Sequence, residues 1–228
     1  MAKLKSSLTN MLLSLTLIAL VAAGLLAAVY TVTEEPINKA KAEKQAAAKL
    51  AVLPANLENP VISEEPEVVN EKTMVYKVYQ GDQLVAAAVE TKENGFGGTF
   101  KMMVGFDKDG NVTGYQVLEH QETPGLGSKM ADWFKTEKNA QNIVGRNPEQ
   151  GGFIVAKDNG DVDAITAATI SSRAFLLAVT TADSASQKVF GTVQTVEARS
   201  GATLKHENAN DNANVNENEN ENENKKED

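Results

Sequence analysis

The sequence contains no cysteine, and this absence excludes several classes of protein at once. Without thiols the chain has no disulfide, no cysteine nucleophile, no lipoprotein anchor, no cysteine-ligated zinc and no iron–sulfur cluster of its own. Histidine is also scarce, because only His120 and His206 occur. A metal site built from several histidines is therefore excluded. We predict no metal site and no catalytic residue in this chain.

Basic residues are a minority: the net charge is -9 and the isoelectric point is about 4.9. Nucleic acid is therefore disfavoured as a partner, since phosphate contacts need a basic face. The 228 residues, 42% hydrophobic and 23% charged, suit one globular domain with extra segments at the ends. The predicted organisation is a membrane anchor at 1–33, a helical stalk and linker at 34–71, a folded domain at 72–205 and an acidic tail at 206–228.

A long uncharged run near the N-terminus predicts a membrane-spanning helix. Residues 6–33 form a run of 28 without charge, and its most apolar part is 11–30. Crossing the hydrocarbon core takes roughly 20 apolar residues. A buried core helix this long and apolar on every face would be unusual, and a cleaved signal peptide usually has an apolar region of about 7–15 residues. We therefore predict an uncleaved single-pass anchor. Lysines lie on both sides of the span, so charge alone does not set its orientation.

The flanking segments have distinctive compositions. Residues 34–53 are rich in Ala, Lys and Glu, which favours a helix that continues from the membrane and ends before Pro54. Three prolines and several glutamates in 54–71 predict an extended linker. At the other end, 206–228 is dominated by Asn and Glu and has almost nothing to bury, so we predict a disordered, solvated tail.

The middle of the chain predicts an α+β domain with a largely antiparallel sheet, because strands follow one another before any long helix. The turn at 80–83 makes a hairpin of the first two strands. A glycine-rich loop occupies 94–98. The predicted strands are Thr73–Tyr79, Leu84–Thr91, Thr99–Phe106, Val112–Glu119 and Phe153–Ala156, and the predicted helices are Lys129–Thr136 and Ser171–Val189.

Two motifs could carry chemistry. Residues 120–127, HQETPGLG, follow a strand, and Pro124 with Gly125 is typical of a structural turn. Residues 163–172, DAITAATISS, place small and hydroxyl side chains at the start of a helix. One interpretation is an ordinary helix cap. The other is an anion site, since a helix N-terminus offers unpaired N–H groups and the positive end of its dipole. Spacing alone favours the cap.

The two motifs in this order, behind one N-terminal span, resemble the G subunit of the Rnf electron-transport complex. The related C subunit of the sodium-pumping NADH:quinone reductase shares the same flavin domain. The resemblance covers residues 1 to about 191 and includes the glycine-rich 94–98. In that family a Ser/Thr-Gly-Ala-Thr sequence receives FMN as a phosphoester on its last threonine. Here the sequence is TAAT at 166–169, so Thr169 is the expected attachment residue, and Ala167 departs from the family's glycine.

The resemblance implies a site and a role. Covalent FMN on Thr169 would be attached by a flavin transferase that uses FAD with Mg²⁺ and releases AMP. The expected role is electron transfer in an ion-translocating complex of the ferredoxin:NAD type, without independent turnover. The domain would lie on the periplasmic side of the inner membrane, beside the complex's other membrane subunits. Phe96 is an expected flavin wall. Leu126 and Trp133 are further expected walls. Glu122 and Lys129 are expected to tune the charge of the ring or to form a salt bridge with each other. The full set of other expected FMN-binding residues is Thr166, Ala168, Ser171, Glu122, Thr123, Gly125, Leu126, Lys129 and Trp133.

Two alternatives remain open from the residues themselves. A membrane-anchored binding or assembly protein without cofactor would contain the same turn and the same helix cap. A hydrolase using His120 with a serine is less favoured, because no G-x-S-x-G sequence is present.

Overall fold

The structure, a computed structural model, describes residues 8–202 and confirms the α+β class. The tail predicted at 206–228 lies outside these residues. In chain order the regular elements are α1 Leu8–Ala51, β1 Val61–Ile62, β2 Glu67–Asn70, β3 Thr73–Gln80, β4 Gln83–Asn94, β5 Thr99–Asp107, β6 Val112–Glu119, α2 Met130–Trp133 and α3 Thr169–Ala202. Short 3₁₀ turns lie at Gly127–Lys129, Asn139–Gln141, Pro148–Gln150 and Ala156–Asp158.

The first helix is continuous from the apolar run into the charged stalk. It has 44 residues, which makes it about 66 Å long at 1.5 Å per residue. Pro36 lies inside it, where it removes one main-chain donor without ending the helix. Among the described residues, α1 alone is long and apolar enough to cross a membrane, and its apolar window is fully exposed.

The sheet is antiparallel and its strand order is β1-β3-β4-β5-β6, with β2 also paired to β3. The four strands predicted between residues 73 and 119 are confirmed. Gly81, with φ of 62°, makes the tight turn between β3 and β4. β1 and β2 fall within residues 54–71, so part of the segment expected to be a linker extends the sheet.

Both faces of the sheet are covered, which explains why Ala86–Thr91 of β4 is buried without a break. Ala87 and Val89 point towards α3 and belong to the larger hydrophobic core. Ala88 points the other way and packs with the end of α1, where Ala48 and Val52 are buried. Alternating side chains of one strand thus serve two separate cores.

The end of α1 is attached to the sheet by polar as well as apolar contacts. The carboxylate of Glu90, only 3% exposed, forms an ion pair with Lys101, with Nζ and Oε1 3.1 Å apart. It also accepts a hydrogen bond from the amide of Gln45 in α1. Thr113 of β6 donates its hydroxyl hydrogen to the carbonyl oxygen of Val52. These contacts hold the C-terminal end of α1 against the sheet.

Two sequence predictions need correction beyond β6. The helix predicted at 129–136 is present but shorter, since α2 ends at Trp133 and Phe134 donates its N–H to the hydroxyl of Tyr115. The strand predicted at 153–156 is wrong. Val155 forms a single parallel bridge with Val162, and Ala156 already begins a 3₁₀ turn. Phe153 and Val155, which suggested a strand, are buried in the larger core, whereas Ile154 between them is exposed.

A buried carboxylate in α3 gives stability a pH dependence. Burial raises the pKa of Asp183 to about 6; Glu149 adds to the rise and the Gln187 amide opposes it. Because the folded state then binds the proton more tightly than the unfolded state, this contribution is present below about pH 4 and is lost as pH rises through 6. We expect the free energy of unfolding to fall by about 2 kcal/mol over that interval. Chemical unfolding of Asp183→Asn should remove this fall, whereas Asp82→Asn at the exposed hairpin turn should retain it.

Candidate functional site

Three segments that are far apart in the sequence meet at one cleft of about 400 Å³. They are the glycine-rich loop between β4 and β5, the turn that follows β6, and the start of α3. A volume of this size is within the range of small-molecule sites. The lining residues are Phe96, Glu122, Thr123, Leu126, Gly127, Ala167, Ala168, Thr169, Ile170 and Ser171.

Glu122 connects the three segments. Its side chain is 4% exposed, and its Oε2 accepts a hydrogen bond of 2.7 Å from the hydroxyl of Ser171 in α3. Its Oε1 accepts a longer bond of 3.2 Å from the N–H of Gly97. A buried carboxylate is stable only when such donors satisfy it, so these contacts hold the glycine-rich loop and the helix start in fixed positions.

The glycines around Glu122 are required by space. A Cβ atom at Gly95 or Gly127 would collide with the Glu122 carboxylate, and a Cβ at Gly97 would collide with the main chain at Gln121. The glycine-rich composition of the loop therefore allows the segments to approach closely. This explains why glycines of both segments surround a glutamate in the turn after β6.

The turn after β6 is closed by its own hydrogen bonds. Leu126 donates its N–H to the carbonyl of Thr123 at 3.1 Å, and Gly125 donates its N–H to the hydroxyl of Ser128 at 2.9 Å. Gly125 has φ of 76°, a conformation that glycine adopts without steric cost. The turn presents Thr123 and the 40%-exposed Leu126 to the cleft.

The start of α3 is fixed by Ser172, and this leaves Thr169 at the cleft. The hydroxyl of Ser172 accepts the N–H of Ile165 at 2.9 Å and donates to the carbonyl of Ala168 at 3.0 Å. Thr169 is the first helical residue, is half-buried and lines the cleft. The first N–H groups of a helix have no partner within it, so the positive end of the helix dipole faces the same space.

Ala167 is in a conformation that favours glycine. Its φ is 62°, and it immediately precedes the buried Ala168. A residue with a Cβ pays roughly 1–2 kcal/mol in this region. We expect Ala167→Gly to raise the free energy of unfolding by about 0.5–1 kcal/mol, after the entropy lost by glycine on folding is subtracted. Thermal unfolding of the two proteins in the same detergent measures this difference. A lower midpoint for Ala167→Gly would contradict the assigned backbone strain.

The structure brings together six of the ten residues that the sequence singled out: Glu122, Thr123, Leu126, Ala168, Thr169 and Ser171 line the cleft. The other four do not line it. Thr166 and Lys129 are exposed, and Gly125 shapes the turn. The Trp133 indole N–H donates to the carbonyl of Asp163 at 2.8 Å, and the ring packs against the larger hydrophobic core.

Two further points concern the expected walls and the expected ion pair. Phe96 lines the cleft as expected, with 69% of its surface exposed. Glu122 is bonded to Ser171 and Gly97 in place of Lys129. Sequence reasoning missed Ile170, which lines the cleft and is 53% exposed. The sequence feature that could have identified Ile170 is an apolar residue in the first turn of a helix, next to the expected attachment threonine.

The cleft lies at the end of the domain towards which the membrane-spanning part of α1 runs. Val52 lies against Gly105 in the middle of β5. Three helical turns earlier, Lys41 forms an ion pair with Glu119 at the end of β6, with Nζ and Oε1 3.2 Å apart. Moving down α1 thus leads along the sheet to the end that carries the cleft. Tyr30, near the end of the apolar run, is about 16 Å from Lys41 along the helix.

Comparison with known proteins places the same segments in a defined family. Residues 95–184 match the FMN-binding domain family, and this range contains all of the cleft. A relative from Yersinia pestis, named as the G subunit of an ion-translocating oxidoreductase complex, is 36% identical over 179 residues, covering 73% of this chain and 84% of the relative.

Proteins of the same name from other bacteria match to a similar extent. The one from Escherichia coli strain K12 is 36% identical over 178 residues, covering 73% of this chain and 85% of the relative. The one from Vibrio cholerae is 35% identical over 179 residues, covering 73% and 84%. The chain therefore belongs to the family of Rnf-type ion-translocating oxidoreductase complex G subunits.

Proposed function

We propose that the chain is the FMN-carrying electron-transfer subunit of a membrane-bound, ion-translocating oxidoreductase complex of the ferredoxin:NAD type, with FMN esterified to Thr169. It acts as one subunit of the complex and has no turnover of its own. The observation that carries the proposal is the position of Thr169. It is the first residue of α3, and it lines an apolar cleft inside the segment that matches FMN-binding domains.

The residues of the cleft suit a flavin nucleotide. Phe96, Leu126 and Ile170 supply apolar surface for a flat aromatic ring. The first turn of α3 supplies main-chain N–H groups and a favourable dipole for a phosphodiester at Thr169. Bound FMN would supply the redox chemistry that amino-acid side chains lack.

Glu122 supports this arrangement as a positioning residue. Its carboxylate is already engaged by Ser171 and Gly97, so it holds the two sides of the cleft at a fixed separation. A negative charge next to the ring also makes further electrons less favourable there. The hydrogen bonds of Glu122 thus act on the position of the flavin, and its charge acts on how readily the ring is reduced.

Attachment to Thr169 calls for an external flavin transferase. A threonine hydroxyl is a weak nucleophile unless a neighbouring base activates it. No histidine or lysine is among the residues that line the cleft in the described part of the chain, and the one carboxylate there already accepts two hydrogen bonds. The chain supplies the acceptor oxygen and the docking surface, while the transferase supplies the activation.

The anchor and the partners follow from the same proposal. α1 holds the chain in the inner membrane, the domain lies on the periplasmic side, and the cleft end faces the complex's membrane subunits.

Because the chain has no cysteine, a single introduced cysteine can report on which side of the membrane the domain lies. We expect Asp82→Cys, in the exposed turn between β3 and β4, to react with a membrane-impermeant maleimide in intact spheroplasts. Labelling that requires lysis would place the domain in the cytoplasm.

The function is tested by expressing the full chain with and without a flavin transferase. We expect the co-expressed protein to be yellow, to fluoresce on a denaturing gel, and to have an intact mass higher by roughly 440 Da, the size of one bonded FMN. A clean unmodified mass after co-expression, with a known acceptor protein modified in the same cells, would favour a membrane-anchored binding or assembly protein without cofactor.

A further inference from the structure

His120 lies between the end of β6 and the turn that lines the cleft. β6 ends at Glu119, so the main chain at 120–122 is no longer held by the ladder of the sheet. The His120 side chain is exposed and does not line the cleft. Its hydrogen bond among residues 8–202 goes to the main chain of this turn.

The ring of His120 accepts a hydrogen bond from the residue two positions later. The main-chain N–H of Glu122 donates to Nδ1 of His120 at 3.3 Å. A ring nitrogen accepts only when it carries no hydrogen, so this bond requires the ring proton to be on Nε2. Within residues 8–202 this N–H has no other acceptor. Because Glu122 is only 4% exposed, its N–H depends on the imidazole rather than on water.

The main chain that His120 holds is the part of the turn against which the glycine-rich loop packs. A Cβ atom on Gly97 would collide with the carbonyl oxygen of Gln121 and would lie 2.9 Å from Cα of Glu122. From this position the Glu122 carboxylate accepts its bonds from Ser171 and from Gly97. A shift of the main chain at residue 122 would therefore move the loop and the start of α3 relative to each other.

We infer that His120 is a positioning residue for the flavin and acts through Glu122. By holding the main-chain N–H of Glu122, the ring fixes the direction in which the carboxylate enters the cleft. The ring serves as an acceptor and not as a base for Thr169, because its Nδ1 is already engaged and it does not line the cleft. The link to the flavin rests on the proposed function, whereas the hydrogen bond belongs to the chain itself.

Two substitutions separate the acceptor from the ring. His120→Phe keeps a flat ring and removes the accepting nitrogen. His120→Asn removes the ring but keeps an acceptor, because an asparagine side chain commonly accepts the N–H two residues later. Both variants should fold, since the position is exposed, and thermal unfolding of the full chain checks this.

The test compares the wild type with both variants after co-expression of the full chain with a flavin transferase. We expect hydrogen exchange in the peptide that contains Glu122 to be about fivefold faster in His120→Phe, the factor for losing one hydrogen bond, and unchanged in His120→Asn. The visible circular dichroism of the bound flavin should be smaller in His120→Phe and retained in His120→Asn. Loss of attachment in His120→Phe alone, measured by intact mass, would support the inference in the same way.

The failures of the two proposals are distinguishable. An unmodified mass for the wild type would contradict the proposed function, and with it any flavin position set by His120. With FMN bound in all three proteins, an unchanged flavin signal in His120→Phe would overturn the inference alone, and faster exchange without a change in that signal would leave His120 a purely structural role. An equal loss of signal in both variants would also overturn it, because the ring and not the acceptor would then matter.

Discussion

Replacing Thr169 by alanine is expected to abolish covalent flavin attachment when the full chain is co-expressed with a flavin transferase, so that no flavin remains on the denatured protein. Thr169 lies at the start of α3 and lines the cleft, and its hydroxyl forms no hydrogen bond to another segment within the described residues. Ser171 and Ser172 also carry hydroxyls, but these are bonded to Glu122 and to the main chain. In-gel fluorescence after denaturation measures the loss directly.

The matched control is Thr136→Ala, which removes the same hydroxyl from an exposed position outside both the cleft and the attachment motif. It should retain the fluorescent band. The Thr169→Ala protein should also stay folded, because alanine is favourable in a helix and a half-buried threonine contributes at most about 1 kcal/mol here. A band that survives Thr169→Ala, or an equal loss of the band with Thr136→Ala, would contradict the assignment.

The second large effect is expected from Gly105→Ala in the middle of β5. A Cβ atom there would collide with the main-chain carbonyl of Val52 at the end of α1, and backbone cannot move aside as a flexible side chain can. The hydroxyl of Thr113, which is bonded to that carbonyl, would be displaced as well. Overpacking of this kind costs about 3 kcal/mol, or about 10 °C in the midpoint of thermal unfolding.

Gly114→Ala is the matched control for this prediction. Gly114 lies directly opposite Gly105 in the register of β5 and β6, yet its Cβ would be 3.4 Å from the nearest atom, the Cα of Val52. At that distance the new methyl group makes ordinary contact. The control should unfold within about 1 kcal/mol of the wild type. Equal losses for the two variants would mean that α1 does not rest against β5 as described.

The antiparallel sheet could be predicted because each strand carries its own local signals. Residues 73–79 are rich in residues that favour strands, and the turns at Gly81 and Gly110 separate the predicted strands. The membrane-spanning helix could also be predicted, because an uncharged run of 28 residues is typical of a membrane span. What the sequence concealed was tertiary pairing: β1 and β2, of two and four residues, are too short to be recognised until β3 is present as a partner.

The site could be predicted in part, for a different physical reason. The segments at 122–127 and 166–171 contain local turn and helix-start chemistry, so each marks a feature by itself. Their meeting depends on Glu122, whose two hydrogen bonds cross 25 and 49 residues of sequence. No local rule predicts such contacts. Trp133 lies outside the cleft, because its indole N–H is bonded to Asp163 and its ring packs against the larger core.

The docking of the stalk was likewise beyond local prediction. The composition of 34–53 predicts a helix, and α1 extends through most of it. Nothing in that composition specifies which residues touch the sheet. Val52 is fully buried against Gly105, and this contact depends on a glycine more than fifty residues away. The position of the cleft at the end of the sheet nearer the apolar run follows from this contact.

The central claim, an FMN ester at Thr169, is tested most directly by peptide mass spectrometry of protein purified from its own host. Trypsin cleavage after Lys157 and Arg173 gives a peptide of residues 158–173, which contains Thr166, Thr169 and the two serines. We predict that this peptide is heavier by roughly 440 Da and that fragmentation places the added mass on Thr169. An unmodified peptide, or the added mass on another side chain, would contradict the claim.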